Sequence, residues 1–219
     1  MSATVSISKI RSLVNDICSK LETAKDDFLD IKDDKNLPPA FAVVAKHLDL
    51  VQATLEIAKK YFKEKKPDTE NGMKIQRTLV DGEKMASNMQ KLFHSVASND
   101  GTPLLERYPR AALKIGRGTR VELVMEGLLK DVKKVAESPA MKAATGVQTE
   151  ALNRAIEEVS ELEPSLEEVA GLGGPTVNVT GGVANSNFGI GGQYNNSGSG
   201  AQYNGKTQNF SGKVPECTQ

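Results

Sequence analysis

Phe41, Val44, Leu48, Val51, Leu55, Ala58 and Phe62 follow one another in alternating steps of three and four residues. Only a helix gathers residues at that spacing on one side, because a strand would send them alternately to opposite faces. Kept up over three heptads, the stripe is the seam of a bundle and has to be covered by other helices. Pro38-Pro39 lies just ahead of it, where proline loses no helical hydrogen bond, and Lys63-Glu-Lys-Lys66 closes it.

The covering helices can be read in the same way. Ile10, Leu13, Val14, Ile17, Leu21 and Phe28 place one apolar face on the first 31 residues, and Asp33-Asp-Lys-Asn36 interrupts the pattern. After Pro67-Asp68 a third helix is expected to about Ser98, with Ile75, Met85, Met89, Leu92 and Val96 inward. Thr78 and Gly82 fall on the same seam, where a neighbouring helix could come close. Further stripes are Val121, Val124, Leu128, Val132 and Val135, then Met141, Ala144, Leu152, Ile156 and Val159. Five helices of about 17 to 30 residues with short connections predict an all-α antiparallel bundle over residues 1–170. No period-two alternation interrupts it. With no Trp, the core rests on Leu, Val, Ile, Met and Ala.

Residues that could carry chemistry are scarce. His47 and His94 have no Cys or carboxylate at metal-ligand spacing and read as helix-face residues. HExxH, GxSxG and Walker A motifs are missing from the sequence. Gly116-Arg-Gly118 lacks the third glycine, the preceding strand and the lysine of a phosphate loop, so it reads as a helix-capping turn. The acidic run Glu157, Glu158, Glu161, Glu163, Glu167 and Glu168 reads as a solvated face leading into a linker. Arg107, Arg110, Lys114, Arg117 and Arg120 read as a solvated basic loop. Cys18 and Cys217 suggest neither a disulfide nor zinc. An enzyme is not expected, nor a cofactor.

Lys plus Arg and Asp plus Glu number 28 each, so the excess positive charge that drives nucleic-acid binding is lacking. The first ten residues lack the apolar core of a secretory signal, and no stretch approaches the roughly 18 apolar residues of a membrane span. A cytoplasmic protein is expected.

From Gly171 to Gly212 the composition changes: Lys206 is the single charged residue, and Gly, Asn, Ser and Gln dominate. Such a segment, the body of a tail over 171–219, cannot bury a core of its own. It could be an inert tether, yet it repeats. Gly191-Gly-Gln193-Tyr194-Asn195 returns as Gly200-Ala-Gln202-Tyr203-Asn204, with a degenerate copy at Lys206-Thr-Gln208-Asn209-Phe210 and an upstream variant at Asn185-Ser-Asn187-Phe188-Gly189. The nine-residue offset is odd, so the intervening Asn196-Ser-Gly-Ser-Gly200 must turn the chain if Tyr194 and Tyr203 are to be equivalent. Stacked in register between identical chains, short rungs would align Asn and Gln into ladders and pile up the rings, which near-zero charge permits. The expectation is a tail disordered in the monomer, with an amyloid-competent core over about 175–212 that makes homo-oligomers through the tail.

Leu37-Pro-Pro-Ala-Phe41 through Gln52, Leu105-Glu-Arg-Tyr108, Gly116-Arg-Gly118, Arg120-Val-Glu122 and Val159 through Leu166 together resemble the SesA-type N-terminal domain of fungal NACHT and P-loop NTPase proteins, over about residues 7–165. Gly191 through Gly200 is similar to the sigma amyloid motif of fungal death-pathway proteins. The resemblance implies an effector of heterokaryon incompatibility or programmed cell death, switched on when a NACHT-type NOD-like receptor presents a matching template. It also implies, after activation, relocation to a membrane surface, on which the amphipathic first helix could lie. The NTPase module of longer members is not seen in these 219 residues, so nucleotide binding is not carried over. A different class of function, an adaptor whose helical domain docks another helical domain and whose tail is a tether, stands beside it.

Overall fold

The computed structural model describes residues 6–166, apart from 66, 99, 117 and 118. The chain divides into two units with the boundary between Glu168 and Val169, and all the described residues belong to the first. Among them are six helices and no strand: α1 (Ile7–Ile31), α2 (Pro39–Glu64), α3 (Thr69–Ala97), α4 (Leu104–Ile115), α5 (Val121–Ala136) and α6 (Gly146–Ser160).

Local chemistry sets the helix ends. The Ser6 hydroxyl caps α1 by accepting the Lys9 N–H at 3.4 Å, and the Asp68 carboxylate caps α3 by accepting the Asn71 N–H at 2.9 Å. Those bonds to Asn71 hold the Asp68 carboxyl below its usual value. Pro39 opens α2 and Pro103 precedes α4, each where a missing N–H costs nothing.

The α2 seam is buried throughout, with Phe41, Val44, Leu48, Val51 and Leu55 at 0 % exposure and Phe62 at 1 %. On α1, Ile10, Val14, Ile17 and Leu21 are fully covered, while Leu13 and Phe28 are half-buried at its margin. On α3 the inward residues are Ile75, Leu79, Met89, Leu92, Phe93 and Val96, and Met85 is half-buried. Gly82 is buried, but a Cβ there would meet only side-chain atoms of Ile17, Leu128 and Asp131 at 3.7–3.9 Å. Ordinary van der Waals distances of that kind do not require glycine.

Three sequence expectations need correction. There are six helices, because α4 occupies the arginine-rich segment read as a loop; its inward residues Leu104, Tyr108, Ala111 and Ala112 are buried. The stripe from Met141 to Val159 is not one helix, since Met141 packs from the turns before α6 and Ala144 is exposed. Short connections also fail to make every consecutive pair neighbours. Backbones approach between α1 and α2, α3 and α4, and α5 and α6, but α3 lies against α1 and α5 rather than α2. α2, α3 and α5 each touch three other helices, α5 meeting α2, α3 and α6.

Candidate functional site

The aromatic side chains form a relay across the bundle. Phe28 meets Phe93 at 6.1 Å, Phe93 meets Phe41 at 5.0 Å, and Phe41 meets Tyr108 at 4.8 Å, all edge to face. The relay ends at the one polar atom of these four rings. Tyr108 is 1 % exposed, and burial pushes its hydroxyl up to about 12, so it stays a neutral donor and acceptor.

That hydroxyl accepts the Val121 N–H at 2.9 Å, one of the unpaired donors at the start of α5, where Arg120 supplies no side-chain cap. It lies 2.6 Å from the Ser165 Oγ, and Ser165 in turn donates to Glu122 Oε2. Since Ser165 spends its proton on the carboxylate, the Tyr108 proton must point at Ser165. The result is a directed chain from the Val121 amide through Tyr108 and Ser165 to Glu122, in which each donor polarises the next. Glu122 is 4 % exposed. Its Oε1 also accepts the Ser165 N–H at 3.1 Å and faces Arg120 Nε at 3.3 Å, so the buried charge is satisfied on both oxygens. Its place in the first turn of α5 suits a negative charge.

The network joins three stretches far apart in the chain: Tyr108 on α4, Arg120-Val-Glu122 at the start of α5, and Ser165 beyond α6. Each carried part of the family resemblance, but their meeting could not be read from sequence, because spacing along a chain says nothing about which helix ends converge. The one available signal was Glu122, a carboxylate on the otherwise apolar opening of the α5 stripe.

The other candidate groups offer no reaction. Burial raises the Cys18 thiol to about 11, which leaves it protonated and inert. His47 is not on an open helix face; it is 7 % exposed between α2 and α6. Its Nε2 lies 3.1 Å from Glu158 Oε2, close enough for an ion pair once the ring is protonated but without hydrogen-bond alignment. Desolvation holds its pKa below the usual value despite that carboxylate. His94 lies 3.4 Å from Asp27. Among the described residues no group of three His, Cys, Asp or Glu could hold a metal ion. Of the acidic run, Glu157 lines the groove between α5 and α6, Glu158 is held low by the hydrogen bond from Lys46, and Glu167 and Glu168 lie outside the described residues. In the basic segment Arg107 donates to the Ser98 carbonyl, Arg110 pairs with Glu106 at 2.7 Å, and Arg120 belongs to the buried network. An open groove of about 400 Å³ between α5 and α6 is lined by Lys130, Lys133 and Lys134. All three are already paired, with Glu126, Glu137 and Asp131.

A family model described as the N-terminal domain on NACHT NTPases and P-loop NTPases matches residues 7–135. The chain belongs to the SesA family. Its match covers α1 through all but the last residue of α5, and so takes in Tyr108 and Glu122 but not Ser165. The SesA likeness is therefore shorter than the stretch to residue 165 expected from sequence. Among curated proteins and among solved structures nothing matches the chain. Among the described residues no helix is long and apolar enough to cross a membrane. The proposed amyloid residues Asn187, Phe188, Gly191, Gln193, Tyr194, Asn195, Gly200, Gln202, Tyr203, Asn204, Gln208, Asn209 and Phe210 all lie outside the described residues.

Proposed function

We propose that this SesA protein is a signalling effector of fungal programmed cell death or heterokaryon incompatibility, switched on when a NACHT-type NOD-like receptor templates its tail into a cross-β stack. The observation that carries the reading is the contrast between the two parts of the chain. The helical part closes its own core, with the whole α2 seam and the α1 stripe covered. The Gln-Tyr-Asn repeats belong to a nearly uncharged stretch outside the described residues, with a composition suited to stacking between identical chains. The family's place beside NACHT NTPases supplies the class of partner. Action at a membrane would require α1 to leave the bundle, since Ile10, Val14, Ile17 and Leu21 are covered in this state.

A second reading, the docking adaptor, is favoured by one feature of α4. Leu105 and Leu113, eight residues apart and hence on one side of the helix, are 64 % and 51 % exposed.

A peptide of residues 175–212 is expected to form fibrils with the roughly 4.7 Å cross-β reflection and to seed the full chain. Changing both Tyr194 and Tyr203 to Pro should abolish seeding, because each proline removes a ladder donor and fixes φ. A wild-type peptide that stays monomeric, or a double-proline chain that seeds normally, would make the tail a tether and leave the adaptor.

A further inference from the structure

Residues 161–166 follow α6 without forming a helix, and Leu162 and Leu166 rest half-buried on the core. The Glu161 and Leu162 N–H groups donate back to the Glu157 and Val159 carbonyls of α6, and beyond them what fastens this segment is that apolar contact and the buried network. The Glu122 carboxylate takes both the N–H and the hydroxyl of Ser165, and the Tyr108 hydroxyl takes up the remaining side of the same oxygen. Three hydrogen bonds therefore converge on one residue, Ser165.

The latch is sensitive to charge. Glu161 and Glu163 stand within the segment, Glu167 and Glu168 follow it in sequence, and the anchor Glu122 is itself acidic. The cation facing that anchor is Arg120, at 3.3 Å. Directed hydrogen bonds thus join an acidic stretch of chain to an acidic side chain through Ser165, and they depend on Ser165 being a neutral donor. A negative charge at that position would replace a donor by an acceptor beside Glu122, turning attraction into repulsion in a site with little water to screen it.

We propose that residues 161–166 are a charge-sensitive strap, latched by Ser165 on Glu122 and Tyr108, that opens as a unit without unfolding the helices beneath it. Opening lifts Leu162 and Leu166 off the bundle and uncovers the corner between α4 and α5. The helices keep the interfaces of α1 with α3 and of α5 with α2, α3 and α6, none of which includes the strap. Small regions with few apolar contacts are where proteins open locally. The inference stands whether or not the tail assembles.

The test is hydrogen exchange followed by mass spectrometry on the full chain. In wild type the Ser165 amide should be protected. Ser165→Asp should speed exchange across 161–166 by about tenfold or more and leave α1 through α3 unchanged. Adding Glu122→Gln to Ser165→Asp should restore protection, because the amide group can donate to the new carboxylate. A strap that already exchanges freely in wild type, a Ser165→Asp chain with unchanged protection, loss of protection throughout α1–α3, or a double variant no better protected than Ser165→Asp would overturn the proposal.

Discussion

At the scale of single residues, stability hangs on groups taken wholly out of water. Leu48 sits at 0 % exposure in the middle of the α2 seam. Leu48→Asp would leave a carboxylate there without a partner, and the domain should lose more than about 4 kcal/mol, enough to unfold it or collapse its denaturant midpoint. An unchanged midpoint would show that the seam is not the core. His47 gives the domain a pH dependence. Burial lowers its folded-state pKa from the ordinary 6.5, so the unfolded chain binds the proton more readily. Its contribution is complete above about pH 6.5 and is lost as the pH falls towards the folded value. Melting at pH 5.5 should therefore come below melting at pH 7.5, with a smaller gap in His47→Gln; equal gaps in the two proteins would remove His47 as the cause. The seam residues were legible because each was one step in a period. His47 was not, because it lies one position off the seam, and whether that position faces solvent depends on where α6 comes to lie.

Among the elements, α4 shows what periodicity hides. Leu104, Tyr108, Ala111 and Ala112 have helical spacing, but they are interleaved with arginines and with Pro109, which reads as a breaker. The helix tolerates Pro109 because the carbonyl it leaves without a donor, that of Leu105, belongs to a residue 64 % exposed, where water can take the bond. The opposite error occurred at α6, where apolar residues on both sides of a turn were joined into one stripe. The turn is held by Thr145, fully buried, whose hydroxyl donates to the Ala136 carbonyl at 2.6 Å and approaches the Met141 carbonyl at 2.9 Å. Thr145→Val keeps the shape and strands the Ala136 carbonyl, while the Met141 carbonyl keeps the Ala144 N–H, so it should cost about 1–3 kcal/mol in urea unfolding, far more than a surface Thr→Val change. A variant as stable as wild type would show that water replaces the hydroxyl.

Over the described residues, the all-helical class followed from sequence because the stripes on α1, α2, α3 and α5 keep a helical period. The buried network did not, since it depends on the body of α4, the start of α5 and the segment beyond α6 converging. The SesA match stops at residue 135, so α6, the strap and the tail are what this chain sets beyond the matched region. On the proposed account the tail assembles while the helical part keeps its fold, and one measurement bears on both halves of that claim. Full-length chain is seeded with fibrils of residues 175–212, and amide exchange is mapped along the product. The account predicts new protection over 175–212 together with retained protection in α1 through α6. Failure to incorporate the seeded chain, or exchange as fast as an unfolded chain across α1–α3, would contradict it.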